Sequence, residues 1–149
     1  RRLALSAPAL IGFSHSRQKD ETAMSSKRYH MSTELRAYHH PEYAGEGGGG
    51  DREAYRPEFD YYSLGLVLLE LGHWWPLRNI VQDRHDRAAV RDYVLQRSVP
   101  FLAGAMGEAY ARATEACLSG VLEGESVEEN FSSLVIAPLE ERLGYGSRM

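Results

Sequence analysis

The architecture of this chain follows from one run of residues, Asp60-Tyr61-Tyr62-Ser63-Leu64-Gly65-Leu66-Val67-Leu68-Leu69-Glu70-Leu71-Gly72. Its apolar side chains point in every direction around a helical wheel, and a helix that is apolar on all sides must be buried on all sides. A strand of this length would be unusual and would hold Glu70 inside it. The sequence therefore predicts a buried central helix with Asp60 as its N-cap and Gly72 directly after its last turn.

Three amphipathic helices are predicted on the C-terminal side of this run. The first spans residues 83–97 and the second spans residues 105–118, with apolar side chains at helical spacing in both. The third opens with a capping box at residues 126–129, where a serine and a glutamate satisfy each other's free backbone N–H groups. Pro138 should kink this last helix and Gly144 should end it. These patterns favour a mainly α fold.

The N-terminal part of the chain has a different character. Residues 8–13 are apolar, which indicates a short strand, and residues 14–40 are polar without a sustained period, which predicts a long loop. Residues 47–50 are four glycines and predict a flexible tract. The apolar stretch behind Arg1-Arg2 also mimics a secretory signal. The strand is the favoured interpretation, because a chain that lacks an initiator methionine is expected to be a fragment.

Composition excludes several classes of protein. The chain has 149 residues with 17 Lys+Arg against 21 Asp+Glu, a net charge of −4, which excludes a basic nucleic-acid binder and disfavours a membrane-surface domain. The single cysteine, Cys117, excludes an intramolecular disulfide framework and a multi-cysteine zinc site. The longest apolar stretch, residues 64–77, is too short to span a membrane. We expect a cytoplasmic protein without a nucleic-acid partner.

Three motifs in order resemble those of a protein kinase. Tyr38-His39-His40-Pro41-Glu42 resembles the end of a kinase activation segment. The run from Asp60 to Leu71 resembles the central helix F of the large lobe, and Trp74-Trp75-Pro76-Leu77 takes the place of the Pro-Phe exit of that helix. The variant is most similar to the kinase-like domains that follow prion-inhibition-and-propagation (HeLo-type) helical domains in filamentous fungi.

The resemblance implies a partial protein-kinase-like C-lobe across residues 1–149. Residues 8–42 would be the activation-segment region with its short strand, and residues 43–58 would be a glycine-rich connection. Residues 59–143 would be a helical subdomain that holds the central helix F and helices G to I. The family residues that match are Tyr38, Pro41, Glu42, Asp60 and Gly65.

The same resemblance implies that the chain is not a kinase. The position of the metal-binding aspartate of Asp-Phe-Gly is taken by Gly12, in Gly12-Phe13-Ser14, and a glycine has no side chain to bind Mg²⁺. The other catalytic parts would lie upstream of residue 1. No ATP or Mg²⁺ cofactor is expected, and the implied function is that of a pseudokinase: a regulatory or scaffolding module of a fungal signalling or incompatibility protein. The alternative is a fragment of an active Ser/Thr-type kinase whose ATP-binding and catalytic residues lie upstream.

The resemblance implies roles for three individual residues. Phe13 would pack in an internal apolar spine, and Asp60 would accept hydrogen bonds from backbone N–H groups of the catalytic loop. The alternative from the residues alone is that Asp60 is only a helix N-cap. Glu42 would pair with an arginine just before the last helix, but that position falls near Gly124, where the chain has no arginine.

Two polar groupings have more than one interpretation. The residues Ser25, Ser26, Tyr29, Ser32 and Thr33 lie beside Lys27 and Arg28 and would form a regulatory phosphosite cluster or simply a solvated loop. The pair His39-His40 does not predict a metal site, because adjacent residues on a strand point in opposite directions and no ligand spacing supports them. An unrelated helical interaction domain is the rival to kinase ancestry as a whole.

The central helix also predicts the partner of this chain. A helix that is apolar on every side needs a full ring of neighbours, and the helices predicted at residues 83–97, 105–118 and 126–143 supply only part of it. The resemblance implies that the upstream half of the same kinase-like domain supplies the rest. On this hypothesis the 149 residues alone are an incomplete folding unit.

Overall fold

The computed structural model describes residues 33–43, 56–122 and 126–142. This part of the chain is mainly helical, as predicted, and holds no strand. The strand predicted at residues 8–13 and the glycine tract at residues 47–50 lie outside the described residues. The elements in order are α1 (Thr33–Arg36), α2 (Pro57–His73), α3 (Leu77–Val81), α4 (Arg87–Arg97), α5 (Val99–Met106), α6 (Glu108–Ser119), α7 (Val127–Phe131), a π-helical segment (Ser132–Ile136) and α8 (Ala137–Arg142).

The central helix is α2, and it begins one turn earlier than predicted. Pro57 occupies its first turn, where the fixed φ of proline suits a helix and its missing N–H removes no bond, and extended Arg56 precedes it. Asp60 is therefore not the N-cap. It lies in the first turn with an exposed side chain, where a carboxylate interacts favourably with the helix dipole. At the other end, α2 continues through Gly72, and Trp74 ends it in the left-handed conformation (φ 54°).

Helix α6 packs closely against α2 in the antiparallel direction. Gly65 of α2 lies against Cys117 and Leu118 near the end of α6, whereas Gly72 lies near Tyr110 close to its start. A Cβ atom at Gly65 would lie 2.8 Å from the Cβ atom of Cys117, which is closer than two carbon atoms approach without strain. The hydroxyl of Tyr110 donates to the backbone carbonyl of Leu68 at 2.7 Å and joins the two helices.

Burial around α2 is incomplete, and the prediction that it is buried on all sides is wrong for the described part of the chain. Leu66 and Leu69 are fully buried, but Val67 and Leu71 are 40% and 49% exposed. Helices α3, α5 and α6 pack against α2, and Tyr38 is hydrogen-bonded to it. Val67 and Leu71 lie where α2 remains exposed, which we call the open side of α2.

Two of the predicted downstream helices differ from the structure at their boundaries. The helix expected at residues 83–97 is α4 and starts at Arg87, because Asp86 is its N-cap and accepts a hydrogen bond from the Ala89 N–H at 2.8 Å. The helix expected at residues 105–118 is interrupted at Gly107, whose φ of 90° ends α5 and precedes α6.

The C-terminal helix departs from its prediction at both of its special positions. Ser126 precedes α7 but makes no side-chain capping bond, so the capping box is not formed. The distortion expected at Pro138 takes the form of the π-helical segment directly before α8. The ring of a proline crowds the carbonyl of the preceding turn, and a wider π-helical turn gives that ring room. The predicted stop at Gly144 lies outside the described residues.

The C-terminal helices and α6 form a second apolar cluster beside the main core. Val135 of the π-helical segment is buried against α6, and Leu122 joins the same cluster. The rings of Tyr61 and Phe131 stack at 4.0 Å and tie α7 to the start of α2. Among the helices in the described residues, none has the length and apolarity needed to cross a bilayer.

Candidate functional site

Two of the three motifs that carry the kinase resemblance, residues 38–42 and the central helix, contact each other in the structure. Residues 38–42, which we call the motif segment, lie along one side of α2. The hydroxyl of Tyr38 donates to Glu70 Oε1 at 2.7 Å. The hydroxyl of Ser63 lies 2.9 Å from the backbone carbonyl of Tyr38 and 2.9 Å from that of Phe59. One side chain thus bonds the motif segment and one turn of α2 together.

Glu70 connects three elements. Its Oε1 atom accepts the Tyr38 hydroxyl and also the backbone N–H of Leu77, so α2, α3 and the motif segment meet at one carboxylate. Hydrogen bonds to a carboxylate are stronger than those between neutral groups. Sequence analysis did not assign this role. The signal was a lone acidic residue inside an apolar helix, which requires a partner when it is packed against other elements.

His40 is a packed structural residue. It is 3% exposed, and its ring lies 5.1 Å from the rings of both Phe59 and Tyr62. Its Nδ1 atom accepts the backbone N–H of Glu42 at 3.2 Å, and its carbonyl accepts from Arg87 Nη1 at 3.1 Å. The motif segment is therefore held to both α2 and α4.

The surroundings of the two histidines differ from the sequence-based expectation. Residues 37–42 form turns and not a strand, so the argument from strand alternation does not apply to His39-His40. The His39 ring instead contacts the ring of Tyr43 edge-on at 4.7 Å. Within residues 33–43, 56–122 and 126–142, no group of three or more His, Cys, Asp or Glu side chains is placed to hold a metal ion.

Glu42 has an arginine partner, although not at the position that the resemblance implied. Arg56 Nη2 donates to Glu42 Oε2 at 2.6 Å. This hydrogen bond is the main reason that the pKa of the Glu42 carboxyl lies below its usual value, and desolvation opposes it. Both side chains are at the surface, where an ion pair contributes about 0–1 kcal/mol. The pair closes the end of the motif segment onto the residue before α2.

The remaining predicted site residues fall into two groups. Pro41 is half-buried in the turn of the motif segment, and Gly65 is buried against α6. Thr33 is the first residue of α1. The residues that lie outside the described ranges are Gly12, Phe13, Ser14, Ser25, Ser26, Tyr29 and Ser32.

A second feature lies at the far end of α2, where three large aromatic side chains face outward. Trp74, Trp75 and Phe101 are 76%, 62% and 72% exposed, and we call them the aromatic corner. The backbone carbonyl of Ser98 accepts the N–H of Phe101 at 3.2 Å and lies 3.1 Å from His73 Nε2. This shared carbonyl places the start of α5 beside the end of α2. The sequence motif predicts only a helix exit at the two tryptophans.

Comparison of the chain with protein-family models, with curated proteins and with solved structures finds no match.

Proposed function

We propose that this chain is a non-catalytic, kinase-like module with a regulatory or scaffolding role in a fungal signalling or incompatibility protein. The observation that carries the proposal is the docking of the motif segment on α2. Tyr38 bonds Glu70 at 2.7 Å, and Ser63 bonds the Tyr38 carbonyl at 2.9 Å. In the kinase resemblance, the end of the activation segment and helix F are neighbours, so this contact supports it.

The non-catalytic part of the proposal rests on Gly12. Phosphoryl transfer depends on carboxylate ligands that hold Mg²⁺ against the β- and γ-phosphates. With a glycine at the position of the Asp-Phe-Gly aspartate, the main protein ligand of that metal is missing from the sequence. What remains of the family pattern is architectural, and an architectural domain acts by binding other proteins.

The open side of α2 supports the proposed partner, the upstream half of the same domain. Val67 and Leu71 leave apolar surface exposed along a helix whose other sides are packed. Removing apolar surface from water, as a second domain would do by packing on it, contributes about 25 cal/mol of stability per Å². The same proposal places the protein in the cytoplasm, because its single cysteine provides no disulfide framework of the kind that small secreted domains use.

A phosphotransfer assay tests the proposal. The natural protein that contains this sequence would be incubated with ATP labelled at the γ-phosphate, with Mg²⁺ or Mn²⁺, and with basic and acidic protein substrates. We expect no label above background in wild type. A matched Gly12→Asp variant restores the carboxylate and reports whether the rest of a catalytic site is present. Metal-dependent labelling by the wild-type protein would overturn the proposal in favour of an active kinase.

A further inference from the structure

His40 is held in the motif segment as a neutral ring. Its Nδ1 atom accepts the backbone N–H of Glu42 at 3.2 Å, so the lone pair of that nitrogen is occupied and the ring proton is on Nε2. The side chain is buried and contacts the rings of Phe59 and Tyr62. A proton on Nδ1 would therefore remove a hydrogen bond and place a positive charge where water is excluded.

Helix α4 brings two positive charges to this site. Arg87 Nη1 donates to the backbone carbonyl of His40 at 3.1 Å. Arg91 follows one turn later on the same face of α4 and is half-buried. Its charge acts on the carboxyl of Glu42 and, together with that of Arg87, on the hydroxyl of Tyr62. Both of those groups are neighbours of His40, so a charge on its ring would be repelled by the two guanidinium groups.

The other groups around the ring add one positive charge and one paired negative charge. The guanidinium of Arg56 lies 4.5 Å from the centroid of the Phe59 ring, which contacts His40. The Glu42 carboxylate accepts from Arg56 at 2.6 Å, so its charge is already compensated. The Tyr62 phenol is uncharged at neutral pH, because burial raises its pKa to about 12. Among these described groups, the balance of charge opposes protonation of His40.

We propose that His40 is an acid-sensitive latch, in which uptake of one proton at Nδ1 breaks the bond from the Glu42 N–H and releases the motif segment from α2 and α4. In the docked segment, the protonated Nδ1 would direct its N–H at another N–H. A histidine in a released segment meets neither this conflict nor the nearby arginines, and it titrates near pH 6.5. The released segment therefore binds more protons than the docked one, and docking weakens as pH falls.

The pH range of the effect follows from this one proton. The ratio of docked to released segment falls by up to about tenfold for each pH unit below about 6.5. Glu42 stays ionised down to about pH 5, because its bond to Arg56 holds the pKa of its carboxyl below the usual 4.5. Release would uncover the rings of Phe59 and Tyr62, so acid would expose an aromatic face of α2. The latch rests on these contacts alone and not on the proposed kinase ancestry.

Amide hydrogen exchange of the full chain at pH 7.5 and pH 5.0 tests the latch. After correction for the pH dependence of the intrinsic exchange rate, we expect the protection of residues 38–43 to fall about tenfold in wild type. His40→Asn supplies a side-chain oxygen that accepts the N–H two residues on but does not titrate, so its protection should change less than about twofold. His39→Asn, at the neighbouring histidine, should behave like wild type.

An NMR titration of the His40 ring in wild type keeps the proposal testable if His40→Asn does not fold. We expect the ring to take up its proton over the same pH range in which residues 38–43 lose protection. Unchanged protection of wild type at pH 5.0, or an equal loss in wild type and His40→Asn, would overturn the proposal. So would a ring that becomes protonated while the segment stays protected, or an equal loss of protection in α6, which would indicate general acid unfolding.

Discussion

Tyr38 and Glu70 are joined by a 2.7 Å hydrogen bond between the tyrosine hydroxyl and Oε1 of the glutamate, across 32 residues of sequence. The same carboxylate oxygen accepts the backbone N–H of Leu77 where α3 begins. The bond between the two side chains therefore holds the motif segment, the central helix and the next helix in a single arrangement, and the first prediction concerns its strength.

Tyr38→Phe removes the hydroxyl and leaves the ring. We expect the free energy of unfolding to fall by about 1.5–3 kcal/mol, because a hydrogen bond to a charged group is lost. Urea denaturation followed by circular dichroism measures it. Tyr43→Phe is the matched control, since Tyr43 is a half-buried tyrosine of the same region, and should change stability by less than about 0.5 kcal/mol. Equal effects of the two variants would show that the Tyr38–Glu70 bond does not hold the motif segment.

The close approach of α2 and α6 predicts opposite effects for two glycine substitutions. At Gly65 a new Cβ atom would lie 2.8 Å from Cys117 and Leu118, so Gly65→Ala should destabilise the fold by about 1–3 kcal/mol. At Gly104 of α5 nothing lies within 4 Å of the new atom, and Gly104→Ala should stabilise by about 0.4–1 kcal/mol. Urea denaturation of both variants gives the two signs. A stabilising Gly65→Ala would contradict this packing.

Cys117 predicts a loss of stability at alkaline pH. Burial raises the pKa of its thiol from 9.0 to about 12. Between these values the unfolded chain has released the thiol proton and the folded chain has kept it. The free energy of unfolding therefore falls as pH rises above 9, by up to about 1.4 kcal/mol per pH unit. Urea denaturation at several pH values would compare wild type with Cys117→Ala, which retains the Cβ atom. Parallel pH curves would contradict the prediction.

A substitution at Asp60 tests whether this residue holds the backbone of a catalytic loop or only stabilises the first turn of its own helix. In the described structure its side chain is exposed in the first turn of α2, where loss of its charge costs about 0.3–1 kcal/mol. If it also holds backbone N–H groups of a catalytic loop, as proposed from the kinase resemblance, Asp60→Asn in the natural protein should cost about 1–3 kcal/mol. Asp92→Asn, at an exposed position of α4, is the control. A cost equal to that of the control would reject the architectural role.

Local sequence patterns predicted which segments are helical better than they predicted where helices begin. The apolar run predicts the central helix, but the capping preference of Asp60 places its start one turn too late, because Pro57 also favours the first turn of a helix. The spacing of apolar residues predicts one long helix that includes Gly107. Its φ of 90° separates α5 from α6, and a backbone angle of this kind depends on the packing of both helices.

The candidate site was predictable only in part, because its contacts join distant residues. The order of the motifs suggested that residues 38–42 and the central helix belong together, but no local rule pairs Tyr38 with Glu70 or Glu42 with Arg56. All-round burial of α2 was inferred from a helical wheel, which counts apolar residues and does not count the neighbours that cover them. The exposure of Val67 and Leu71 follows from how many elements pack around the helix.

The measurement that tests the central claim most directly is a calorimetric titration of the chain with ATP in the presence of Mg²⁺. On the proposed function, the chain is a kinase-like module, and Gly12 stands where the resemblance places the metal-binding aspartate. The proposed function predicts no binding tighter than a dissociation constant of about 1 mM, which corresponds to about −4 kcal/mol. A Mg²⁺-dependent dissociation constant well below that value would contradict the account, because the chain would then hold a nucleotide site that its sequence does not provide.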